Sequence, residues 1–358
     1  MGSFQRDLSL DTEELRFEVG RPEHGSRLDS FLGSRLRWCT RERARRWVES
    51  ARCVVLAGRD PQQAAIGRIR PATRLRWGQS VVVTLDAPAA GGRDDRAPIE
   101  VLWEDEHLIA VAKPSGVATH PTRSHLSGSL VERLHRQLAA CGRSDRPSPC
   151  HRLDLETSGV LLLAKDPVVR AAVGDAFERG EISKRYLALV RGIPEPRAGR
   201  IDAPIGVDAD SAVPVRRCTS PAGQPAATGW RVLSTGASSA LVEVRPATGR
   251  QHQIRVHLAA IGHPVLGDRL YLGGDALFLR SLDRELSAAE IAHLGHRRCA
   301  LHAWRLELIH PAATAPLVLE ASLARDLVEL SAKLEQLPAA LRATRSPGRR
   351  PPANDSAR

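Results

Sequence analysis

Between His151 and Ala164 the chain passes from a polar cluster, through a single glycine, into an unbroken apolar run. In HRLDLETSGVLLLAK, the residues His151, Arg152, Asp154, Glu156, Thr157 and Ser158 precede Gly159, and Val160 to Ala164 follow it. An apolar run of this length bounded by a turn signal predicts a buried strand. Asp154 then sits on a loop just before a core strand, where catalytic groups concentrate. The same local pattern also suits a plain turn shaped by Asp154 and Thr157, whose side chains bond nearby backbone groups.

Two segments nearer the N-terminus carry helical spacing: Leu28, Phe31, Leu32 and Leu36, then Ala44, Trp47, Val48 and Ala51, with Thr40 between them as an N-cap. Strands are predicted at Cys53–Leu56 and at Ser80–Leu85, where Val81, Val83 and Leu85 alternate. Residues 87–98, rich in Ala, Gly, Pro and charge, form a linker. Beyond it the pattern predicts strands around Val101 and at Leu108–Ala112, a turn at Lys113–Gly116 and a helix at Ser129–Ala140. A helix follows Asp166, with Pro167 at its first position and a stop at Gly180. Strands are expected at Tyr186–Val190 and Leu241–Val244, loops or a hairpin over 206–226, and a turn at Thr248–Arg250. A helix is expected over Gln251–Ile261, and an insertion with a polar helix over 274–297. The division is therefore a mobile leader (1–20), a small module (21–86), the linker (87–98) and a larger domain (99–330). The tail (338–358), with five arginines, four prolines and little to bury, reads as disordered. No internal repeat is visible.

Charge adds a partner to this outline. The 358 residues carry 52 basic and 41 acidic groups, a net +11, with only four lysines. Arginine is the better residue for paired phosphate contacts. Between Arg16 and Asp86 there are fifteen arginines against seven acids, so this module holds +8 of the +11. Arg35, Arg37, Arg41, Arg43, Arg45 and Arg46 crowd the turn between the two helices. Charge runs are often only solvated faces, but a compact basic helix pair is what binding to a phosphate backbone asks for. Arg41, Arg45 and Arg46 are the contacts expected there. The six cysteines are scattered without a CxxC pair, which leaves no zinc spacing and no disulfide framework. No apolar run approaches membrane-spanning length, and the early acids Asp7, Asp11, Glu13 and Glu14 oppose a transit peptide. The expectation is a cytoplasmic, monomeric protein with RNA as its partner, no membrane and no metal.

HRLDLETSGVLLLAK, KRYLALVRG at 184–192 and TGRQHQIRVHLAAIGHPVLGD at 248–268 together resemble the RluA-type family of RNA pseudouridine synthases. EDEHLIAVAKPSGVATHP from Glu104 and ALHAWRLELIHP from Ala300 fit as well, so the resemblance runs from about Ile99 to about Leu327. Five blocks in the right order are far more specific than any one. The resemblance implies an α+β catalytic domain with a central mixed, largely antiparallel sheet. The leading module, with RLDSFL, a basic second helix and ATRLRWGQSVVV, is similar to a small S4-type RNA-binding domain. The implied reaction isomerises uridine in structured RNA to pseudouridine, exchanging the N1–C1′ bond for C5–C1′ without a cofactor. The domain order, a basic S4-like module ahead of the catalytic domain, favours large-subunit ribosomal RNA over transfer RNA as the substrate.

Carried onto this chain, the resemblance makes Asp154 the nucleophile at C1′ or the base at C2′. Arg255 becomes its charge partner, and Tyr186 the ring that stacks on the base. An enzyme working on the glycosidic bond must extrude its nucleotide, so Arg152 is expected to fill the gap or hold phosphate. Arg250, Gln251 and His252 are expected at the RNA, with Gln251, His252 and Arg255 on one helix face. Leu155 stands where the family more often carries a basic residue. The rival from another class is a non-catalytic RNA-binding or ribosome-assembly protein on the same fold, which would have no need of the Asp154, Tyr186 and Arg255 set.

Overall fold

Alternation and helical spacing both become packing in the smaller of two units, Met1–Arg96 with Pro121–Ser129. The computed structural model describes residues 12–35, 41–50, 52–58, 64–86, 97–120, 128–332 and 334–335. In this unit β1 (Thr12–Glu18) and β2 (Cys53–Leu56) flank β3 (Ser80–Asp86) in an antiparallel sheet. Two helices, α1 (Leu28–Arg35) and α2 (Arg41–Glu49), bring Leu28, Phe31, Leu32, Ala44 and Val48 onto Val55, Val81 and Val83. The leader expected over 1–20 is thereby shortened. Residues 12–18 pair with β3 along their whole length, and Leu15 and Phe17 pack against the core. Thr40, most of the linker and the tail lie outside the described residues.

The larger unit, Ala97–His120 with Leu130–Arg358, holds most of the predicted elements. They begin with β4 (Glu100–Glu104), β5 (Leu108–Lys113), α3 (Leu130–Ala140), β6 (Ser148–Pro149), β7 (Ser158–Ala164) and α4 (Pro167–Glu178). Then come β8 (Ser183–Arg191), β9 (Ala198–Asp202), the hairpin β10 (Ile205–Val207) and β11 (Arg217–Thr219), β12 (Ala227–Thr235) and β13 (Ser239–Pro246). The chain continues through α5 (Gln253–Ala260), α6 (Gly274–Asp283), α7 (Ala288–Leu294), β14 (Leu301–Ile309), β15 (Pro316–Glu320) and α8 (Arg325–Ser331). The sheet runs β4-β5-β7-β14-β8-β13-β12-β9, with β15 beside β14 and β6 beside β7. Its pairs are antiparallel except β7 with β14, so the sheet is mixed and largely antiparallel.

The apolar run after Gly159 is buried on both faces, which is why it lacks alternation. Leu161 and Leu163 pack with Leu130, Leu134 and Leu138 of α3, whereas Val160, Leu162 and Ala164 pack with Val169 and Val173 of α4. Asp166 caps α4 by accepting from Val169 N–H at 2.8 Å. Strands β12 and β14 escaped the sequence pattern because charged side chains interrupt them. Those charges are answered across the sheet by Arg231 on Glu243 and Arg305 on Glu320, and along single strands by Arg245 on Glu243 and Arg305 on Glu307.

Gly159 lies at the one parallel junction, with φ +116°, and a Cβ there would stand 2.1 Å from the carbonyl oxygen of Ala303. Gly159→Ala should therefore force β7 and β14 apart and destabilise the fold by about 3 kcal/mol or more. Thermal melting should register this as a fall of roughly 6–12 °C; an unchanged Tm would refute the close-approach argument.

Candidate active site

The loop between β6 and β7, which carries Asp154, is held along its backbone by distant side chains. Buried Lys113, at the end of β5, donates Nζ–H bonds to the carbonyls of Pro114 (3.0 Å), Leu155 (3.1 Å) and Thr157 (2.8 Å). Gly116 N–H also donates to Leu155 O at 2.7 Å, and Arg298 donates to Glu156 O at 3.2 Å. Ser158 Oγ lies 2.9 Å from His302 Nδ1 and donates to it, while the other ring nitrogen of His302 meets Ala321 O. A buried loop must find partners for its polar backbone groups, and here those partners also set where Asp154 points. The Glu156 carboxylate turns elsewhere, accepting from Cys299 N–H at 3.0 Å and pairing with Arg269 at 3.3 Å. The two acids are thus not a cooperating pair.

Three separate segments converge on Asp154. Arg255 of α5 donates Nη1–H to Asp154 Oδ2 at 3.2 Å. The same guanidinium grips Asp268 with a fork, Nε to Oδ2 at 2.6 Å and Nη2 to Oδ1 at 2.9 Å. Asp268 is fully buried and also accepts from the N–H groups of Leu270 and Tyr271, each at 3.0 Å. One arginine is therefore fixed by one carboxylate and presented to the other, an arrangement suited to its rigid planar head. Tyr186, half-buried on β8, pairs in register with Val244 on one side and Ala303 on the other. Its ring joins Asp154 and Arg255 in lining a cavity of about 470 Å³.

Burial pushes the Asp154 carboxyl up. Positive charge more than offsets this, from His252 when it is protonated, from Arg255 and from Arg152, so the acid is held below the usual carboxylate range. Burial, and then the charge of Asp154, push the Tyr186 hydroxyl up, so it stays neutral. Burial lowers His252 to about 4, and the neighbouring Arg255 adds to this, so at neutral pH the ring is uncharged.

The remaining residues anticipated around the cleft divide into rim and wall. Arg152 and Arg250 are exposed on the lining, and Arg250 Nε–H reaches Pro225 O at 3.2 Å. Gln251 accepts from Arg217 of β11 at 2.7 Å. The helix expected over Gln251–Ile261 is corrected in one respect. It begins at Gln253, because His252 is in the left-handed region (φ 60°, ψ 13°) and breaks the helical path. Gln251, His252 and Arg255 thus share the cavity without sharing a helix face. In the smaller unit Arg45 is exposed and pairs with Glu49 at 2.8 Å. The side chains of Arg41 and Arg46 lie outside the described residues.

Sequence reasoning passed over Asp268, Tyr271 and Lys113 as individuals, although all three lie in or beside the quoted blocks. The only local signal for Asp268 is Gly267 before it (φ +75°), where a Cβ would stand 1.8 Å from Arg298 O. Lys113 opens the turn that the sequence predicts at Lys113–Gly116, and nothing local marks it as a brace for the Asp154 loop. Among the described residues no cluster of three or more His, Cys, Asp or Glu could hold a metal ion, and no helix is long and apolar enough to cross a membrane.

A carboxylate kept ionised by a buried arginine, in a cavity with a basic rim on a mixed sheet, points to a class: an enzyme that works on RNA. Residues 107–260 match the model of the RNA pseudouridylate synthase family, and the chain belongs to that family, whose members are isomerases of uridine in RNA. It is 32% identical over 333 residues (91% of this chain, 90% of the other) to the ribosomal large subunit pseudouridine synthase D of Nitrosomonas europaea. With the protein of that name from Zymomonas mobilis it shares 31% over 308 residues (85% and 92%). The solved structure of human RNA pseudouridylate synthase domain containing 4 is 32% identical, with a TM-score of 0.51, and covers 66% of this chain and 94% of that one.

Proposed function

We propose that the chain converts uridine in large-subunit ribosomal RNA to pseudouridine, with Asp154 attacking C1′ as nucleophile or removing the C2′ proton as base. The observation that carries this reading is the relay Asp268–Arg255–Asp154, which keeps a partly buried carboxylate ionised at the floor of the cleft. Tyr186 stacks on the target uracil, and its neutral hydroxyl stands close enough to Asp154 to feel its charge. Arg152, exposed on the lining, takes the place of the extruded nucleotide or holds phosphate. Arg250, Gln251 and His252 contact the RNA from the turn before α5. The ribosomal choice rests on the names of the two bacterial relatives.

The smaller unit acts as an S4-like RNA-binding domain, with Arg41, Arg45 and Arg46 on phosphates. Its surplus of arginine and its helix pair support this reading. RNA affinity should then fall steeply with salt, and Arg45→Ala should lower the slope of log K against log salt by about 1. A slope that Arg45→Ala leaves untouched would remove that residue from the interface. For the reaction, pseudouridine is mapped on ribosomal RNA from cells with and without the gene. One or more large-subunit sites should vanish and return on incubation with the protein. An unchanged map, with no site restored, would overturn the ribosomal assignment.

A further inference from the structure

His252 is the one described non-glycine residue of this cleft with a positive φ, and only one other, Thr314, occurs elsewhere among the described residues. Backbone strain of this kind costs about 1 kcal/mol or more and persists where the surroundings impose it, often at functional sites. Here it aims a ring. Nδ1 of His252 lies 3.0 Å from the hydroxyl of Tyr271, which itself accepts the backbone N–H of Arg217 at 3.0 Å. Having accepted from Arg217, the hydroxyl completes its bonding by donating its hydrogen to Nδ1. Nδ1 is then the acceptor, and the proton of the neutral ring sits on Nε2. The two rings meet edge to face, with centroids 5.7 Å apart, and the Arg255 guanidinium lies 5.0 Å over the Tyr271 ring.

Nε2 stands 4.0 Å from Oδ2 of the reacting carboxylate of Asp154, beyond hydrogen-bond reach. The separation leaves room for substrate atoms at about 3 Å from each group, the geometry a nucleophile and an electrophilic donor share. Arg255 directs three of its five N–H donors at Asp268 and Asp154, which holds its guanidinium to those two carboxylates. Among the described residues Nε2–H of His252 makes no hydrogen bond within the protein.

We propose that His252 is a further catalytic residue, a neutral imidazole held by Tyr271 so that Nε2–H bonds the uracil carbonyl beside the breaking N1–C1′ bond. The inference rests on the reading of Asp154 given above and holds for either route. If Asp154 bonds to C1′, or if it takes the C2′ proton and leaves a C1′–C2′ double bond, the N1–C1′ electron pair departs with the uracil. The resulting anion spreads onto O2. A fixed donor there stabilises charge that exists only as the bond breaks, and no proton is transferred. Turning the ring about its N3–C6 axis brings C5 to the place of N1 and O4 to the place of O2. The same donor therefore serves the second bond formation. A neutral histidine suits this task, as in enzymes that polarise a carbonyl with imidazole. Tyr271 is a positioning residue that sets the tautomer.

The test uses the full chain and unmodified large-subunit ribosomal RNA from cells lacking the gene, with single-turnover rate and RNA Kd measured separately. Glycine removes the donor and relieves the backbone strain, while asparagine tolerates the left-handed backbone and restores an N–H. His252→Gly should slow the chemical step roughly 10²-fold with Kd within about threefold. His252→Asn should recover part of the loss. A His252→Gly rate within twofold of wild type, beside an inactive Asp154→Ala, would overturn this inference and leave the proposed function standing. Activity in Asp154→Ala would overturn the proposed function itself. Nitrogen-15 NMR of the intact wild-type protein gives an answer that no variant's folding can obscure. The His252 signals should report Nε2–H at neutral pH, and an Nδ1–H or charged ring would overturn the proposal. Tyr271→Phe should mix the tautomers and slow chemistry about tenfold; an unaltered tautomer and rate would remove Tyr271 from the device.

Discussion

Asp154→Ala should lower pseudouridine formation by roughly 10⁴-fold or more, the scale on which loss of a nucleophile is felt, while RNA still binds within a few-fold of wild type. The separation follows from geometry. The side chain of Asp154 is 26% exposed at the floor of the cleft, and the rim arginines that meet phosphate are untouched by its removal. Folding should be nearly unaffected, within about 1 kcal/mol, because Arg255 keeps its fork on Asp268 and so is never left as an uncompensated buried charge. Rapid-quench assays of pseudouridine, filter binding and a thermal melt on one preparation separate these effects. Substantial turnover by a folded Asp154→Ala protein would remove the residue from the chemistry.

Arg255→Met should strike stability and rate together. It strands Asp268, whose side chain is 0% exposed, and losing one partner of a buried pair costs about 3–5 kcal/mol. It also removes a charge that holds Asp154 below the ordinary carboxylate range. The pH consequence has a definite sign. Activity needs the ionised form, so in the wild type it is lost only as pH falls through a depressed pKa. In Arg255→Met, burial acts with less opposition, the pKa rises, and the acid limb of the rate profile moves to higher pH. Adding Asp268→Asn removes the orphaned charge and keeps acceptors for Leu270 and Tyr271 N–H, so the double variant should regain much of the stability and none of the rate. A rate profile whose acid limb stays in place would refute the electrostatic role. A double variant no more stable than Arg255→Met would refute the account of Asp268.

Much of this molecule was legible in its residue order. The helices of the smaller unit follow from Leu28, Phe31, Leu32, Ala44 and Val48 at helical spacing, and β7 from the apolar run after Gly159. These are local signals, since burial of a stripe or a short segment repeats within a few residues. The blocks around Asp154, Tyr186 and Arg255 were equally visible, and the family resemblance drawn from them agrees with the comparisons. Strands β12 and β14 were not, because Arg231 and Arg305 interrupt their apolar pattern, and the neighbouring-strand acids that answer them, Glu243 and Glu320, lie beyond the reach of local spacing.

The composition of the cleft could be listed from sequence, but its electrostatics could not. Asp154 and Arg255 are 101 positions apart, and nothing local says that their side chains meet at 3.2 Å. Asp268 looks like any aspartate in a turn until its burial under a two-pronged arginine makes it the anchor of the site. Spacing alone places His252 on a helix face, whereas its left-handed backbone and the hydroxyl of Tyr271 decide where its proton sits. Periodicity records which residues must be buried. The distances that set ionisation and hydrogen-bond direction exist only once the sheet has brought these remote segments together.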